Sequence, residues 1–402
     1  MKDIIITGYT MKNFYSAGIF QTTLAYATAF KKMGHNVKIV IKDSDDIDSL
    51  KKDKNAPLKW LGIEYISTTE LLKMESIDYL IYMGFTYNSI ADGGSGLYEA
   101  LRDKFPTSKF IYASFYNIPS GLVAGITNES GYLSVQYNNF DENFDEMWVL
   151  ESHVKGTRDL LSNTFKSVKV MPLLVLEKDD YIEEYSNNEI GPVDIQNYEY
   201  DLEQVNRKAL INLDPQSRMK HSFVPIVGAL NWIRREEGRH ITIGNAFPLW
   251  VNPDGNTNEE IFKYFKTYMA KTLKGEEYYN MIKQNENTPI KMYGRQATHG
   301  ILKQAKPFAA SICVIGDWER WNVLLMDLLR FGVPVIHNFK EIDLGWKYEF
   351  PDTQGFNDAI EQCQKDLYEN GKYEEYKKQA RDLFVRLSKI ESNKAKLAEL
   401  IP

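Results

Sequence analysis

The sequence predicts an α/β protein of two consecutive doubly wound domains, each a parallel sheet with helices on both faces. The chain has 402 residues, which exceeds one ordinary hydrophobic core and fits two domains of about 200 residues each. Short runs of β-branched residues alternate with segments of helical apolar spacing, which is typical of parallel sheets. The segment 177–206, rich in Glu, Asp and Asn, has neither period and separates two such series.

The first series opens with a βαβ unit. Residues 4–7 are a β-branched run that ends at Gly8, residues 18–32 have helical apolar spacing, and 37–41 form a second strand. The crossover helix between two strands predicts a parallel pair. Further strands are predicted at 79–82, 110–113, 147–150 and 168–171.

The second series repeats this alternation. Strands are predicted at 209–213, 241–243, 290–293, 310–315 and 334–337, and helices near 221–234, 257–284, 297–305, 321–331 and 355–368. The predicted domains are 1–185 and 207–370, joined by a connection at 186–206, with a C-terminal helix in 371–402 that packs back on the first domain. Open α/β sheets bind ligands at the carboxyl ends of their strands, so two such sheets are expected to face each other across a ligand-binding cleft.

Composition argues against several classes of function. The net charge of −7 argues against duplex DNA as the main partner, although a local basic rim can coexist with an acidic surface. No window approaches the roughly 18 apolar residues that span a bilayer, and MKDIIITGYT is typical of a first strand, not of a signal peptide. The cysteines, Cys313 and Cys363, form neither a disulfide framework nor a metal-ligand spacing, so a reducing cytoplasm is expected.

The segment 316–338 carries the most specific pattern. Glu319 and Asp327 are separated by an acidic-x7-acidic spacing, just over two helical turns, which puts both carboxylates on one helix face. Asp327 stands among Leu and Met residues, where a carboxylate needs a polar partner such as a ribose diol. The first helical N–H groups, near Trp318 and Asn322, would face a diphosphate. The alternative is an ordinary acid at a helix start and another on a helix face.

A second candidate is the cationic loop after the first strand of the second series. Arg218 offers a planar fork for phosphate oxygens and Lys220 a point charge. The alternative is a solvated basic loop.

Two further segments offer ligand contacts through the backbone. Residues 8–10 and 16–21 form a loop that opens a helix at Gly18, which presents N–H groups to an anion or sugar. This loop is not G-x-G-x-x-G, so the NAD or FAD fingerprint is absent, and a helix start capped by Ser16 explains it equally well. Tyr293, Gly294 and Arg295 end another predicted strand.

The acidic-x7-acidic segment followed by Gly332-Val-Pro-Val resembles the signature of retaining GT-B glycosyltransferases, although Asp327 stands where those enzymes have Glu. The resemblance implies two Rossmann-like domains and a nucleotide-sugar donor, a UDP-sugar being expected. It also implies that Arg218 and Lys220 stabilise the leaving diphosphate. The base would be held at 293–295, and the Gly18 loop would touch donor and acceptor. The stretches 16–21, 33–40, 144–153, 214–220 and 318–338 are similar to a little-characterised group of bacterial and phage glycosyltransferase-like proteins.

The candidate catalytic residues are Glu319 in the second domain and three groups in the first. His153 and Glu151 follow the strand 147–150, and Asp92 lies in the Gly-rich loop 92–96. If the enzyme inverts configuration it needs a base among His153, Glu151 and Asp92; if it retains, the donor phosphate accepts the proton. A lone His is more often a merely hydrogen-bonded one. No Asp-x-Asp pair stands in a suitable loop, so neither a metal ion nor a tightly bound cofactor is expected, with Arg218 and Lys220 replacing the cation.

The acceptor stays open at this point. It is a hydroxyl on a saccharide, lipid or protein, or a hydroxymethylated cytosine in phage DNA that receives glucose or arabinose, since base extrusion needs only a local basic rim. Functions of other classes are a nucleotide-sugar epimerase or phosphorylase and a non-catalytic nucleotide-sugar binding module. A phosphorylase would need a pyridoxal-phosphate lysine segment, and none is evident.

Overall fold

The computed structural model describes residues 1–8, 18–41, 61–84, 95–114, 144–150, 167–181, 198–212, 223–246, 280, 290–294, 308–313, 323–339, 342–349 and 352–402. The chain divides into two compact units: residues 1–196 with 386–402, and residues 197–385. Among the described residues, no helix combines the length and the apolar composition that crossing a bilayer requires.

The first unit contains a seven-stranded parallel sheet in the order β3-β2-β1-β4-β5-β6-β7. Its elements are β1 (Asp3–Gly8), α1 (Gly18–Lys32), β2 (Asn36–Ile41), β3 (Glu64–Ser67), α2 (Thr68–Lys73), β4 (Tyr79–Gly84), α3 (Ser95–Lys104), β5 (Lys109–Ser114), β6 (Glu146–Leu150) and β7 (Val168–Met171). The strand order reverses between β1 and β4, which is the topological switch point of a doubly wound sheet.

The second unit repeats this plan with a six-stranded sheet in the order β10-β9-β8-β11-β12-β13. Its elements are β8 (Asn206–Asn212), α4 (Phe223–Arg234), β9 (His240–Ala246), β10 (Ile290–Gly294), β11 (Phe308–Cys313), α5 (Val323–Arg330), β12 (Val335–His337), β13 (Trp346–Lys347), α6 (Thr353–Gln364), a π-helical turn (Lys365–Glu369) and most of α7 (Tyr373–Ser388). All pairings in both sheets are parallel, so the predicted fold class of two doubly wound domains is confirmed.

The structure adds two strands to the prediction, and both lie at a sheet edge. β3 is four residues long and runs directly into α2, where Ser67 and Glu70 form a capping box. β13 has only two residues, paired with Ile336 and His337. The predicted helices 257–284 and 297–305 lie outside the described residues, apart from Asn280.

The C-terminal stretch is divided between the two units and is not one continuous helix. Residues 371–385 belong to the second unit and residues 386–402 to the first, so the expected packing on the first unit holds only for the last part. α7 ends at Ser388, and a short 3₁₀ turn (Glu391–Asn393) leads into α8 (Lys394–Leu400). The Asn393 side-chain amide donates to the carbonyls of Leu387 (3.3 Å) and Lys389 (2.9 Å). It thereby satisfies acceptors that the end of α7 leaves without an intrahelical donor.

The chain leaves α5 through a glycine in the left-handed backbone conformation, which residues with a Cβ rarely adopt. Gly332 has φ +67. Its N–H donates to Leu329 O (3.1 Å), and the Val333 N–H donates to Leu328 O (3.0 Å). These are the two bonds of a Schellman motif, which fixes the end of α5 and the start of β12.

Gly332→Ala is expected to lower the free energy of unfolding by about 2–3 kcal/mol, measured by urea denaturation. The left-handed conformation alone costs an L-residue about 1–2 kcal/mol. In addition, a Cβ at this position would lie 2.6 Å from Lys377 Cγ.

Gly371→Ala is the matched control. Gly371 has φ +63, yet a Cβ there would meet no atom within 4 Å. Only the backbone cost of about 1–2 kcal/mol is therefore expected. Equal losses for the two variants would mean that the Lys377 contact contributes nothing.

Candidate functional site

The predicted donor segments of the second unit begin at the strands on either side of its switch point. β8 and β11 are neighbours, and Ile312 pairs with Asn212 at their carboxyl ends. The segment with Arg218 and Lys220 follows β8, and the segment with Trp318 follows β11. Open α/β sheets bind ligands at this point, so the topology places the starts of both segments where a nucleotide site is expected.

Most predicted site residues lie outside the part of the chain that the structure describes. In the second unit these are Arg218, Lys220, Arg295, Trp318, Glu319 and Asn322, and in the first unit Asp92, Glu151 and His153. The described strands nevertheless end where the predictions require. β6 ends at Leu150, directly before Glu151, and β10 contains Tyr293 and ends at Gly294. Gly18 begins α1, also as predicted.

Asp327 is the predicted donor-site residue whose side chain the structure describes. It lies on α5 and is 2 % exposed. Its Oδ1 is 3.1 Å from Nη2 of Arg330, one helical turn further on. The helix begins at Val323 and Glu319 lies outside the described residues, so the shared helix face of Glu319 and Asp327 stays a prediction.

Arg330 is a residue that sequence reasoning missed. The polar partner expected for Asp327 was a ligand, whereas the structure supplies a cation from the same helix. The i,i+3 spacing of the two residues was a readable signal for this pair. Burial raises the pKa of Asp327 to about 6, and the Arg330 charge opposes that rise.

His337 is the last residue of β12, and its side chain forms hydrogen bonds with the loop that follows. Its Nε2–H donates to Leu344 O (2.6 Å), and its Nδ1 accepts from the Phe339 N–H (3.1 Å). The ring is fully buried and neutral. Burial lowers the pKa of His337 to about 4, aided by Lys347 and opposed by the bond to Leu344. Both ring nitrogens are thus occupied within the protein.

The destabilisation caused by His337→Gln is expected to be about 2 kcal/mol smaller at pH 4.5 than at pH 7. The pKa of histidine is 6.5 in the unfolded chain and about 4 here, so between these values only the unfolded chain takes up the proton. The wild-type contribution is therefore present above pH 6.5 and disappears as the pH falls. Urea unfolding of both proteins at the two pH values measures the difference.

Asp327→Asn is expected to show the opposite sign. The Asp327 pKa is raised from 3.8 to about 6, so between these values only the folded chain binds the proton. The wild-type folded state gains stability as the pH falls through this range, and the variant does not. Its destabilisation should therefore be larger at pH 4.5 than at pH 7. The same sign of change in both variants would contradict these protonation states.

The switch point of the first unit is lined by hydroxyl and aromatic groups. Thr7 is the last but one residue of β1 and is in register with Tyr82 of β4. Tyr82 is in turn in register with Tyr112 of β5. Tyr98 of α3 lies over this row, with its hydroxyl 3.5 Å from Thr7 Oγ1 and its ring edge-on to Tyr82. The three tyrosines are buried, and the Tyr82 ring contacts the rings of both Tyr98 and Tyr112.

In the second unit, Asn212 is a buried polar residue at the end of β8, and sequence reasoning did not single it out.

Within the described residues, no three His, Cys, Asp or Glu side chains lie close enough together to hold a metal ion.

Neither a protein-family model nor a curated protein matches the sequence. Solved structures match it along its length. An α-glucosyltransferase in complex with UDP has a TM-score of 0.62 at 12% identity, covering 100% of both chains. The structure of an α-glucosyltransferase with UDP and a 13-mer DNA containing an HMU base has a TM-score of 0.61 at 11% identity, covering 99% of this chain and 100% of that chain.

A different enzyme shares the fold as well. Sucrose-phosphate synthase from Thermosynechococcus elongatus has a TM-score of 0.60 at 12% identity, covering 99% of this chain and 98% of that chain. At such identities the likeness establishes the fold, which is the two-domain GT-B fold of glycosyltransferases.

Proposed function

We propose that this protein is a glycosyltransferase that moves a sugar from a nucleotide-sugar to a hydroxyl acceptor. The favoured donor is a UDP-sugar. One observation carries the proposal. In a GT-B fold, the cationic segment with Arg218 and Lys220 follows β8, and the acidic segment with Glu319 follows β11. These strands flank the switch point of the second unit, where such sheets bind nucleotides.

The assigned chemistry needs a cationic partner for the leaving group. As the bond between the anomeric carbon and the phosphate oxygen breaks, negative charge develops on the nucleoside diphosphate. Arg218, Lys220 and helix N–H groups stabilise that charge without a metal ion. Asp327, together with Trp318 and Asn322, holds the nucleoside part of the donor, and the strand end at Tyr293, Gly294 and Arg295 holds the base. Gly18 and its loop touch the donor from the first unit.

The proton leaves the acceptor hydroxyl as its oxygen bonds to the anomeric carbon. With retention, which the acidic-x7-acidic spacing favours, the donor phosphate takes that proton and Glu319 contacts the transferred sugar. With inversion, a base from the first unit takes it, and His153, Glu151 and Asp92 are the candidates in that order. The products are the nucleoside diphosphate and the glycosylated acceptor in either case.

A modified base in DNA is the second candidate acceptor. UDP-bound and DNA-bound α-glucosyltransferase structures match this chain over 99% or more of its length, which favours it. The substrate would be a hydroxymethylated cytosine, presented outside the base stack. The short stretches that resemble bacterial and phage glycosyltransferase-like proteins agree with this candidate, and a cytoplasmic location is proposed with it.

A thermal-shift screen over UDP-, GDP-, ADP- and CMP-sugars tests the donor assignment. A ligand at 100 times its Kd stabilises the folded state by about 2.7 kcal/mol, which moves the unfolding temperature measurably. Stabilisation by a nucleotide-sugar is the expected result. Stabilisation by NAD alone would remove the proposal.

Transfer assays with the selected donor separate the remaining functions. DNA with and without 5-hydroxymethylcytosine, and a panel of free saccharides, are the acceptors. Label appearing only in hydroxymethylated DNA selects the second candidate. A protein that binds the donor yet neither hydrolyses nor transfers it is a binding module, and conversion of the free donor sugar to another isomer identifies an epimerase.

A further inference from the structure

The buried ion pair on α5 stands out among the described charges of the second unit. Asp327 and Arg330 side chains are 3% and 7% exposed, and they meet through Oδ1 and Nη2 at 3.1 Å. Taking two charges out of water is costly, so a buried pair contributes little net stability compared with an apolar pair of the same shape. Stability alone therefore does not account for this arrangement.

The guanidinium of Arg330 is held in place by aromatic rings. Its central carbon lies 4.4 Å from the Phe331 ring centroid and 5.8 Å from that of Phe384. Phe331 in turn packs against Tyr198, with ring centroids 4.9 Å apart. The Schellman turn at Gly332 fixes the backbone immediately after it. Arg330 is thus a rigid anchor rather than a mobile surface cation.

A cation held beside one oxygen restricts how the Asp327 carboxylate can rotate. An ionised carboxyl group accepts about four hydrogen bonds, and the contact with Arg330 directs Oδ1. Burial on its own favours the protonated carboxyl, which would donate a proton rather than accept two hydroxyl hydrogens. The Arg330 charge partly opposes that rise in the pKa of Asp327, and so favours the ionised form that accepts hydrogen bonds.

We propose that Arg330 is a positioning residue that orients Asp327 to accept the ribose hydroxyls of the donor and thereby makes the site select ribonucleotides over 2′-deoxyribonucleotides. This inference rests on the proposed function, because it takes Asp327 as part of a nucleotide site. Sites built to hydrogen-bond a hydroxyl reject analogues that lack it, since the polar group is then left without its partner.

Binding of UDP and of 2′-deoxy-UDP to the full chain, measured by titration calorimetry, tests the proposal. The wild type is expected to bind UDP at least about tenfold more tightly than 2′-deoxy-UDP. Arg330→Met should bring the UDP affinity down to that of 2′-deoxy-UDP, while the affinity for the deoxy analogue changes less than about twofold. A purely structural role would weaken both ligands together.

Two further variants keep the test decisive. Arg330→Lys retains the charge without the planar fork, so it should lose most of the preference and still fold. Arg381→Met is the matched control, because Arg381 also lies over Phe384, at 5.1 Å, and belongs to α7. Its ratio of UDP to 2′-deoxy-UDP affinity should equal that of the wild type.

The failures are distinguishable. A wild type that binds neither nucleotide overturns the UDP-donor assignment and this inference with it. A wild type that binds both equally shows that Asp327 does not recognise the ribose 2′-hydroxyl, and leaves the transferase proposal standing. A wild-type preference that survives in both Arg330 variants removes the positioning role alone.

Discussion

Replacing Lys220 with alanine is expected to lower kcat for sugar transfer by about 10²–10³-fold, and Arg218→Ala is expected to do the same. Both residues follow β8 in the chain, and the carboxyl end of β8 lies at the switch point of the second unit. The charge that they stabilise grows as the glycosidic bond breaks, so the loss should fall on kcat more than on KM. Steady-state kinetics with the selected nucleotide-sugar, under saturating acceptor, give both constants.

Lys208→Ala is the control for the change of charge. Lys208 lies on β8 itself, towards its amino end, and pairs with Glu236 at 2.7 Å near the surface. Its removal should leave kcat within about twofold, because exposed ion pairs contribute little. If Lys220→Ala and Arg218→Ala also leave kcat unchanged, the cationic loop does not stabilise the leaving group.

Glu146→Gln is expected to lower the free energy of unfolding by about 3 kcal/mol, at the low end of the range for breaking a buried ion pair. Glu146 is 1% exposed. Its Oε2 accepts from Lys109 (2.8 Å) and Ser167 (2.9 Å), and its Oε1 accepts from Trp148 (2.6 Å). Lys169 also lies 3.4 Å from Oε1.

The loss of stability comes from hydrogen-bond donors around position 146 that a glutamine amide cannot accept from. Burial raises the pKa of Glu146, but the bonds from Lys109, Trp148 and Ser167 outweigh it and hold that pKa below its ordinary value. Glutamine would turn an NH₂ group towards donors that need an acceptor. The two lysines are partly exposed and can regain water, which is why the low end of the range applies.

Glu64→Gln is the matched comparison for the loss of a carboxylate. Glu64 lies on β3 of the same sheet and pairs with Lys38 at 2.9 Å, but its side chain is 57% exposed. An effect below about 0.5 kcal/mol is expected. Urea unfolding followed by circular dichroism measures both variants, and equal losses would contradict the structural role of the Glu146 network.

The strands of both sheets were predictable because their signal is local. β1, β2, β4, β5, β6 and β7 lie where their β-branched runs predict them, within two residues at either end. β3 and β13 carry no such signal: they are short, and within the described residues each pairs with a single neighbouring strand. An edge strand of this length is stabilised by the strand beside it, which a periodicity in its own residues does not reveal.

For the candidate site, residue types and chain positions were readable, whereas partners were not. Asp327 lies in an apolar run, which predicts a polar partner for its carboxylate. The structure shows that this partner is Arg330. His337 ends β12, the strand that pairs with β11, and both of its ring nitrogens form hydrogen bonds within the protein, to Phe339 and Leu344. Side-chain partners depend on which rotamer and which turn bring two groups together.

The sequence by itself determined the alternation of strands and helices, the division into two parallel sheets and the stop of α5 at Gly332, since propensity and periodicity act within one element. Tertiary structure alone decided the strand order and the convergence of Lys109, Glu146 and Lys169 from three adjacent strands. These depend on the register between strands distant in the chain, which is set by what the whole sheet buries.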